Sequence, residues 1–556
     1  MERCLKRLRD NADENIYFEI RNRKKRAKRP NQFWKEFQAL LARNTAVNGL
    51  ICFFGRNPHY SRLGITAITE ALKANTSLKE LNLFGCVIGV KEAKAIVEAL
   101  ESNSSVTDLD LSGNVFKGEA LSTIVEALEK NSSLLKLRLA SNKINDEGVA
   151  LISRALKKNS SLLHLDFDCN KIAAAGAIEI AQALKGISSL TTLSIRSNSI
   201  GNEGALAIAG ALKGNPSLTK VNLSSTSIEN EGAVAIAEAL KGNASLPSLN
   251  LSFNTIGDDA ALAISEALKV KSFLSSLNLS SNSIKNEGAL DEASKESSAM
   301  SSLNLSNTSI GSKGAIAISE ALKGNSPLSS LNLSHTSIGK EGALAIAGSL
   351  KLNSSLSSLD LSYTSIGKEG AFAIAKALEG NATLRELNLR RCMVGDGAAL
   401  AIAISLKERS SLTSIDLCAN NISNKGASAI AAALKVNSSL ISLNLSSNSF
   451  GNEGLLAIAK MLKENLSLSK LSLRDFEMCF KVELAFIEAM RFHPSLLEMH
   501  VCQNSFIGLN SFQNPDVNNQ NPLEHLLQLL ICEEGAQELA KEFRMKFSCF
   551  LKNFFN

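Results

Sequence analysis

A 28-residue pattern recurs through most of this 556-residue chain and leaves little freedom in how it can fold. Its marker residue falls at Leu81, Leu109, Leu137, Leu165, Leu193, Val221, Leu249 and Leu277. It resumes at Leu303, Leu331, Leu359, Leu387, Ile415, Leu443, Leu471 and Met499. Every step is 28 residues except one of 26, from Leu277 to Leu303. Each of the sixteen units reads close to L-x-x-L-x-L-S-x-N-x-I-G-x-E-G-A-x-A-I-A-x-A-L-K-x-N-S-S. A damaged unit, around 49–76, precedes them and keeps the helical half, AITEALKANTSL. Such a period marks a solenoid, in which no unit buries its own apolar face and stacked neighbours share one core.

The physics of one unit is legible. L-x-L alternates at period two and predicts a short strand with its leucines inward. The isoleucine that follows, such as Ile200 or Ile338, fills the core beyond the strand. G-x-E-G predicts a turn whose second glycine, Gly204 or Gly342, tolerates positive φ. A-x-A-I-A-x-A-L-K has helical apolar spacing, and its alanines allow helix and sheet to approach closely. N-S-S ends the helix and turns the chain back. Strands stack at ~4.8 Å and helices at ~8–10 Å, so the stack is expected to curve with its strands concave. Three residues after the last strand leucine stands a recurrent asparagine, as at Asn114, Asn142, Asn170 and Asn198, replaced by threonine at Thr226, Thr308, Thr336 and Thr364 and by Cys86 and Cys392. A buried amide there is expected to bond the backbone of its own and neighbouring turns rather than a ligand.

These residues resemble leucine-rich repeats, specifically the 28/29-residue ribonuclease-inhibitor-like class. That class also builds the repeat regions of NLR-type innate-immune receptors and Ran-type GTPase-activating proteins. The resemblance covers roughly 50–505. It implies an α/β leucine-rich-repeat solenoid, a horseshoe of about 16 repeats with parallel β-sheet on the concave face and α-helices on the convex face. It implies a non-enzymatic scaffold that binds partner proteins on the concave face, in regulation or immune-type sensing. Two alternatives stay open: a GTPase-activating protein of Ran type, and a bacterial effector acting in a host cell, for which Glu533, Glu534, Glu538 and Glu542 suggest an acidic secretion block. The body departs from ribonuclease inhibitor in lacking strong acidity and dense cysteine. The tail is mixed in charge, unlike Ran-type activators, and no G-x-x-x-x-G-K-[ST] motif of a nucleotide-binding domain occurs.

Composition excludes several function classes. Nothing approaches eighteen consecutive apolar residues, so no transmembrane segment is expected. The first residues carry no apolar stretch of the secretory type. Residues 1–44 hold thirteen Lys/Arg against six Asp/Glu, while the rest is near neutral, so a nucleic-acid-binding surface is not expected. The ten cysteines include no C-x-x-C and the six histidines no H-E-x-x-H, so neither metal nor other cofactor is expected. No catalytic constellation assembles either; His164 beside Asp166 is the one suggestive pair and lacks a nucleophile. Asn222, Asn250, Asn278, Asn304, Asn332 and Asn444 sit in N-L-S triplets on strands only ~4.8 Å apart, too close for glycans to stack. That favours a cytoplasmic compartment. Nuclear import through Arg23, Lys24, Lys25, Arg26, Lys28 and Arg29, or contact of that run with an anionic surface, is the variant reading.

Strand residues that alternate with the leucines, and two just after, set the concave face. From Ser248 to His335 they are serine and asparagine, with Phe253 and His335 as landmarks. Charge gathers in two arcs. Candidate partner-binding residues in the first are Asp108, Asp110, Lys136, Arg138, His164, Asp166, Asp168 and Arg196, and in the second Tyr363, Arg390, Arg391 and Arg474. The paired aspartates invite a cation, but Lys136 and Arg138 on the strand between would neutralise them. The expected organisation is a basic helical arm and cap over 1–48, with Phe33, Phe37, Leu40 and Leu41 on one helix face after an Asn31 cap. The solenoid then runs over 49–504, with an irregular unit near 285–302 that predicts a hinge at Leu290–Met300. An Asn-rich loop over 505–522 and an amphipathic helical cap over 523–556 complete it. Partner identity and oligomeric state are not written in the sequence.

Overall fold

The structure, a computed structural model, describes residues 2–10, 16–19, 30–54, 58–116, 118–269, 273–288, 300–323, 327–408, 411–492, 495–496, 498–501 and 504–507. It divides into two compact units, Met1–Ser365 and Ile366–Asn556.

In the first unit β1 (Ile16–Glu19) and β2 (Gly49–Phe53) precede the regular array. The array runs through β3 (Glu80–Asn82), β4 (Asp108–Asp110), β5 (Lys136–Arg138), β6 (His164–Asp166), β7 (Thr192–Ser194), β8 (Lys220–Asn222) and β9 (Ser248–Asn250). It continues with β10 (Ser276–Asn278), β11 (Ser302–Asn304), β12 (Ser330–Asn332) and β13 (Ser358–Asp360). Each strand pairs in parallel with the next, and from β3 onward marker residue lies opposite marker residue, as in Leu165↔Leu193. The 26-residue step keeps this register, Leu277 lying opposite Leu303. The second unit repeats the plan with β14 (Glu386–Asn388), β15 (Ser414–Asp416), β16 (Ser442–Asn444), β17 (Lys470–Leu473) and β18 (Glu498–Val501), again parallel. β19 (Asn504–Ile507) folds back antiparallel on β18. All sixteen marker residues therefore lie on strands β3 to β18. A helix follows nearly every strand, and successive helices pack on one another within each unit.

The unit around β7 shows how the core forms. Leu193 and Ile195 point inward, Ile200 closes the turn, and the helix Gly201–Leu212 buries Ala205, Ile208, Ala209, Ala211 and Leu212. Each fully buried Leu or Ile contributes about 1.5–3 kcal/mol, but only against the neighbouring unit.

The glycine expectation needs correction. Gly204 and Gly342 lie outside the positive-φ region; it is the first glycine of the turn that enters it, Gly201 at +61° and Gly339 at +62°. The second glycine is there for space. A Cβ on Gly204 would stand 2.8 Å from Ile200 Cβ and 2.9 Å from Ala177 Cβ of the preceding helix. A further positive-φ residue recurs just before the turn asparagine, and most often it is not glycine: Ser197 at +55°, Phe253 at +57°, His335 at +55° and Tyr363 at +57°.

Three ladders of side-chain bonds tie unit to unit. The expected one is present. Asn142 Nδ2 donates to Leu111 O at 3.0 Å, and its Oδ1 accepts from Asn114 N at 2.7 Å and Val115 N at 2.9 Å, all one repeat back. A second ladder uses the asparagine of N-S-S. Asn103 Nδ2 donates to Leu72 O and Asn75 O at 2.8 Å each, while its Oδ1 accepts from Ser105 N and Val106 N. A third crosses between helices. Asn202 Oδ1 accepts from Glu229 N and Gly232 N, capping the start of the next helix with a residue of the previous one.

At the N-terminal end the helix Pro30–Arg43 buries Phe33, Phe37 and Leu41, and also Trp34, whose ring meets Phe54 edge-on at 5.6 Å. This helix starts at Pro30, so Asn31 sits inside the first turn instead of capping it; proline suits that place. The segment 1–48 is not helical throughout, because β1 pairs in parallel with β2. The basic run Arg23–Arg29, the segment 508–556 and residues 289–299 of the irregular unit lie outside the described residues.

Candidate functional site

The first charged arc lies on adjacent strands. β4 and β5 register Asp108 with Lys136 and Asp110 with Arg138; β5 and β6 register Lys136 with His164 and Arg138 with Asp166. Arg138 grips Asp108 with two nitrogens, at 2.7 and 3.2 Å, and Lys136 Nζ lies 3.6 Å from the same carboxylate. Asp110 is buried and occupied: its oxygens accept from Asn82 Nδ2 at 3.0 Å and Ser112 N at 2.9 Å. The basic strand therefore neutralises Asp108, and no group of three or more metal-ligating side chains stands together among the described residues.

Asp166 and Asp168 differ. Asp166 accepts from the backbone N of Asp168 at 2.7 Å. Asp168 accepts from Arg196 N at 2.9 Å and from the Ser194 hydroxyl. Burial, with the Asp168 and Asp110 charges nearby, pushes the Asp166 carboxyl up to about 6. Burial and the Lys136 cation lower His164. Because Asp166 binds its proton more tightly folded than unfolded, its contribution to stability falls as pH rises from about 4 to about 6 and is flat above. Asp166→Asn keeps the turn bond, as Asn222 shows at the same place on β8. We expect this variant to raise the urea midpoint at pH 7 and to abolish the decline between those pH values.

Arg196 and Lys220 are exposed, and among the described residues neither has a carboxylate within salt-bridge distance. They flank the two aspartates on the next strands. Further along, the face loses charge, as expected, but it is narrower than expected. Ser224, Ser252, Ser280 and Ser334, one residue past each core leucine, are buried as the backbone curls inward. Phe253 stands 61% exposed, and His335 stacks on Tyr363 with ring centroids 4.2 Å apart and planes at 14°.

In the second unit Arg390 is half-buried and Arg391 exposed, the latter at a positive-φ turn position. Arg474 lies 3.3 Å from His500 Nδ1. Burial pushes the thiols of Cys4 and Cys86 up to about 11 and about 12, so these sulfurs are poor nucleophiles. No helix among the described residues is long and apolar enough to cross a membrane.

Sequence reasoning missed the Asn82–Asp110 bond and the bidentate Arg138–Asp108 pair, since each joins residues 28 or 30 positions apart. Lys220 is visible in the sequence as a charge, but its lack of a carboxylate partner among the described residues is visible only in the structure.

The profile described as Leucine Rich repeat matches at ten places: 74–97, 102–125, 242–265, 270–291, 297–319, 324–347, 352–375, 380–403, 410–431 and 436–459. The profile described as TMOD/LMOD Leucine-rich domain matches 116–230. Among solved structures, an internalin of Listeria monocytogenes is 18% identical, covering 59% of this chain and 88% of its own, with a TM-score of 0.37. The yeast Rad7 and Elc1 complex offers a chain 17% identical, covering 76% of this chain and 94% of its own, with a TM-score of 0.40. Likeness at that level transfers no residue role. No curated protein matches the chain in sequence.

Proposed function

Because this chain belongs to the leucine-rich-repeat proteins, whose repeats generally mediate contact between proteins, we propose that it is a non-enzymatic scaffold gripping a partner protein on the strand face of its first unit. The carrying observation is the position of Arg196 and Lys220, exposed and unmatched, beside the Asp166–Asp168 pair. Arg138, locked on Asp108, forms the rigid edge of this patch. Opposed charges on one patch select a partner by complementarity, which governs encounter rate and specificity. The complementary surface carries a carboxylate for Arg196 and a cation for Asp166. Regulation or immune-type sensing in the cytoplasm is the role that suits a fixed, non-catalytic face.

The test is capture of partners by the intact chain, followed by titration of the captured protein. Arg196→Glu with Lys220→Glu should weaken binding about tenfold or more at low salt, with a smaller difference at high salt. Unchanged affinity would remove this patch from the interface. Acceleration of GTP hydrolysis by a small GTPase, lost in the same double variant, would replace the scaffold reading with a GTPase-activating one.

A further inference from the structure

We propose that the strand face of the first unit from Asn222 on β8 to β12, which carries no charge beyond Lys220, binds a neutral polysaccharide. Five carboxamides occupy one position on five adjacent strands: Asn222, Asn250, Asn278, Asn304 and Asn332, each in register with the next. Every Oδ1 accepts from the backbone N–H two residues on, at 2.8–3.1 Å. An N–H can only meet the oxygen, so each amide is fixed in one orientation with Nδ2 left over. Among the described residues no acceptor lies within hydrogen-bond reach of any of these five Nδ2 groups. The contrast lies at Asn82 and Asn444, whose Nδ2 groups are taken by Asp110 and Asp416. The result is a row of oriented, unused donors at a pitch of ~4.8 Å.

Three observations select the occupant. First, this row repeats without variation, and a site that repeats by translation fits a ligand that does the same. The side chains of an ordinary globular surface do not repeat identically, whereas the groups of a polymer of identical units do. Second, the strands β9 to β12 present only serine and asparagine, so no formal charge favours an ionic ligand. Asp360, next in the row on β13, turns away anionic polymers at that end. Third, aromatic rings border the row: Phe253 beside β9, and the His335–Tyr363 stack beside β12 and β13. His335 is exposed, and Asn307 on the preceding turn bonds Ser281 at 3.0 Å. Sugar rings supply what this arrangement takes: hydroxyl oxygens to accept from the amides and an apolar C–H face to lie on an aromatic ring.

The experiment titrates the full chain, by calorimetry, with unbranched neutral oligosaccharides of increasing length in three series: β-1,4-glucose, β-1,4-N-acetylglucosamine and α-1,4-glucose. One series is expected to bind, with affinity rising about tenfold or more from disaccharide to long oligomer as more rungs engage. Asn278→Asp with Asn304→Asp deletes two donors and retains the turn bond, which Asp110 and Asp360 already make to Ser112 N and Ser362 N. The two new carboxylates face each other on adjacent strands, so this variant is expected to melt somewhat below the parent at pH 7; titrated at a temperature where it is fully folded, it should lose about tenfold in affinity, and Tyr363→Ala should weaken binding in the same direction. Absence of binding in all three series, affinity independent of length, or indifference to the double variant would overturn the proposal. So would a repetitive peptide that binds the row where no sugar does. Protein capture through Arg196 and Lys220 is measured separately, so failure of either reading leaves the other standing.

Discussion

Asn142→Ala is expected to lower stability by about 3 kcal/mol or more, although it removes only one small side chain. The amide is fully buried and serves three backbone groups of the preceding repeat: Leu111 O, Asn114 N and Val115 N. Alanine leaves the Asn114 and Val115 amides without this acceptor, while Leu111 O keeps the bond from Asn114 Nδ2 at 2.8 Å, and each orphaned amide costs about 1–3 kcal/mol. Asn142→Thr should cost less. Thr226 shows what threonine does here, its hydroxyl donating to Leu223 O three residues back. That restores a local bond but not the two acceptances across the repeat. Chemical denaturation orders the variants parent, threonine, alanine, and amide exchange at Asn114 and Val115 should accelerate most in the last. Equal midpoints for parent and alanine would mean that the ladder contributes nothing.

Gly204→Val carries a similar penalty, of about 3 kcal/mol, for a different reason. The new Cβ would lie 2.8 Å from Ile200 Cβ and 2.9 Å from Ala177 Cβ, and neither β-carbon can swing aside because both are fixed to backbone. The two helices must part, and the shared core opens with them. Gly210 is the control on the same helix: no atom lies within 4 Å of its would-be Cβ, so Gly210→Ala should raise stability by about 0.5–1 kcal/mol. Opposite signs from two glycines six residues apart separate crowding from general helix propensity. Melting both variants beside the parent checks it.

Much of the architecture was legible because the period fixes it. Every marker residue from Leu81 to Met499 lies on a strand. The recurrent turn asparagine bonds backbone, as its buried place required. What resisted reading depends on cross-repeat geometry. Gly204 looked like a turn glycine because sequence alone does not separate a φ demand from a packing demand; the Ala177 Cβ that decides it belongs to the previous repeat. The helix-capping role of Asn202 was hidden for the same reason, its partners being 27 and 30 residues away. The candidate face behaved likewise. Its charges were visible as charges, but which ones cancel depends on side-chain reach: Arg138 spends its charge on Asp108, while Arg196 keeps its own. Ser252 and Ser280 counted as surface from strand alternation, yet the curl after the strand buries them.

The central claim is that this array meets its protein partner with strands rather than helices. A photo-crosslinking residue placed at Arg196 on the strand face, and separately at Leu206 on the exposed side of the following helix, tests it directly. The account predicts a covalent adduct with the captured partner from position 196 and none from position 206. Adducts from 206 with none from 196 would contradict it.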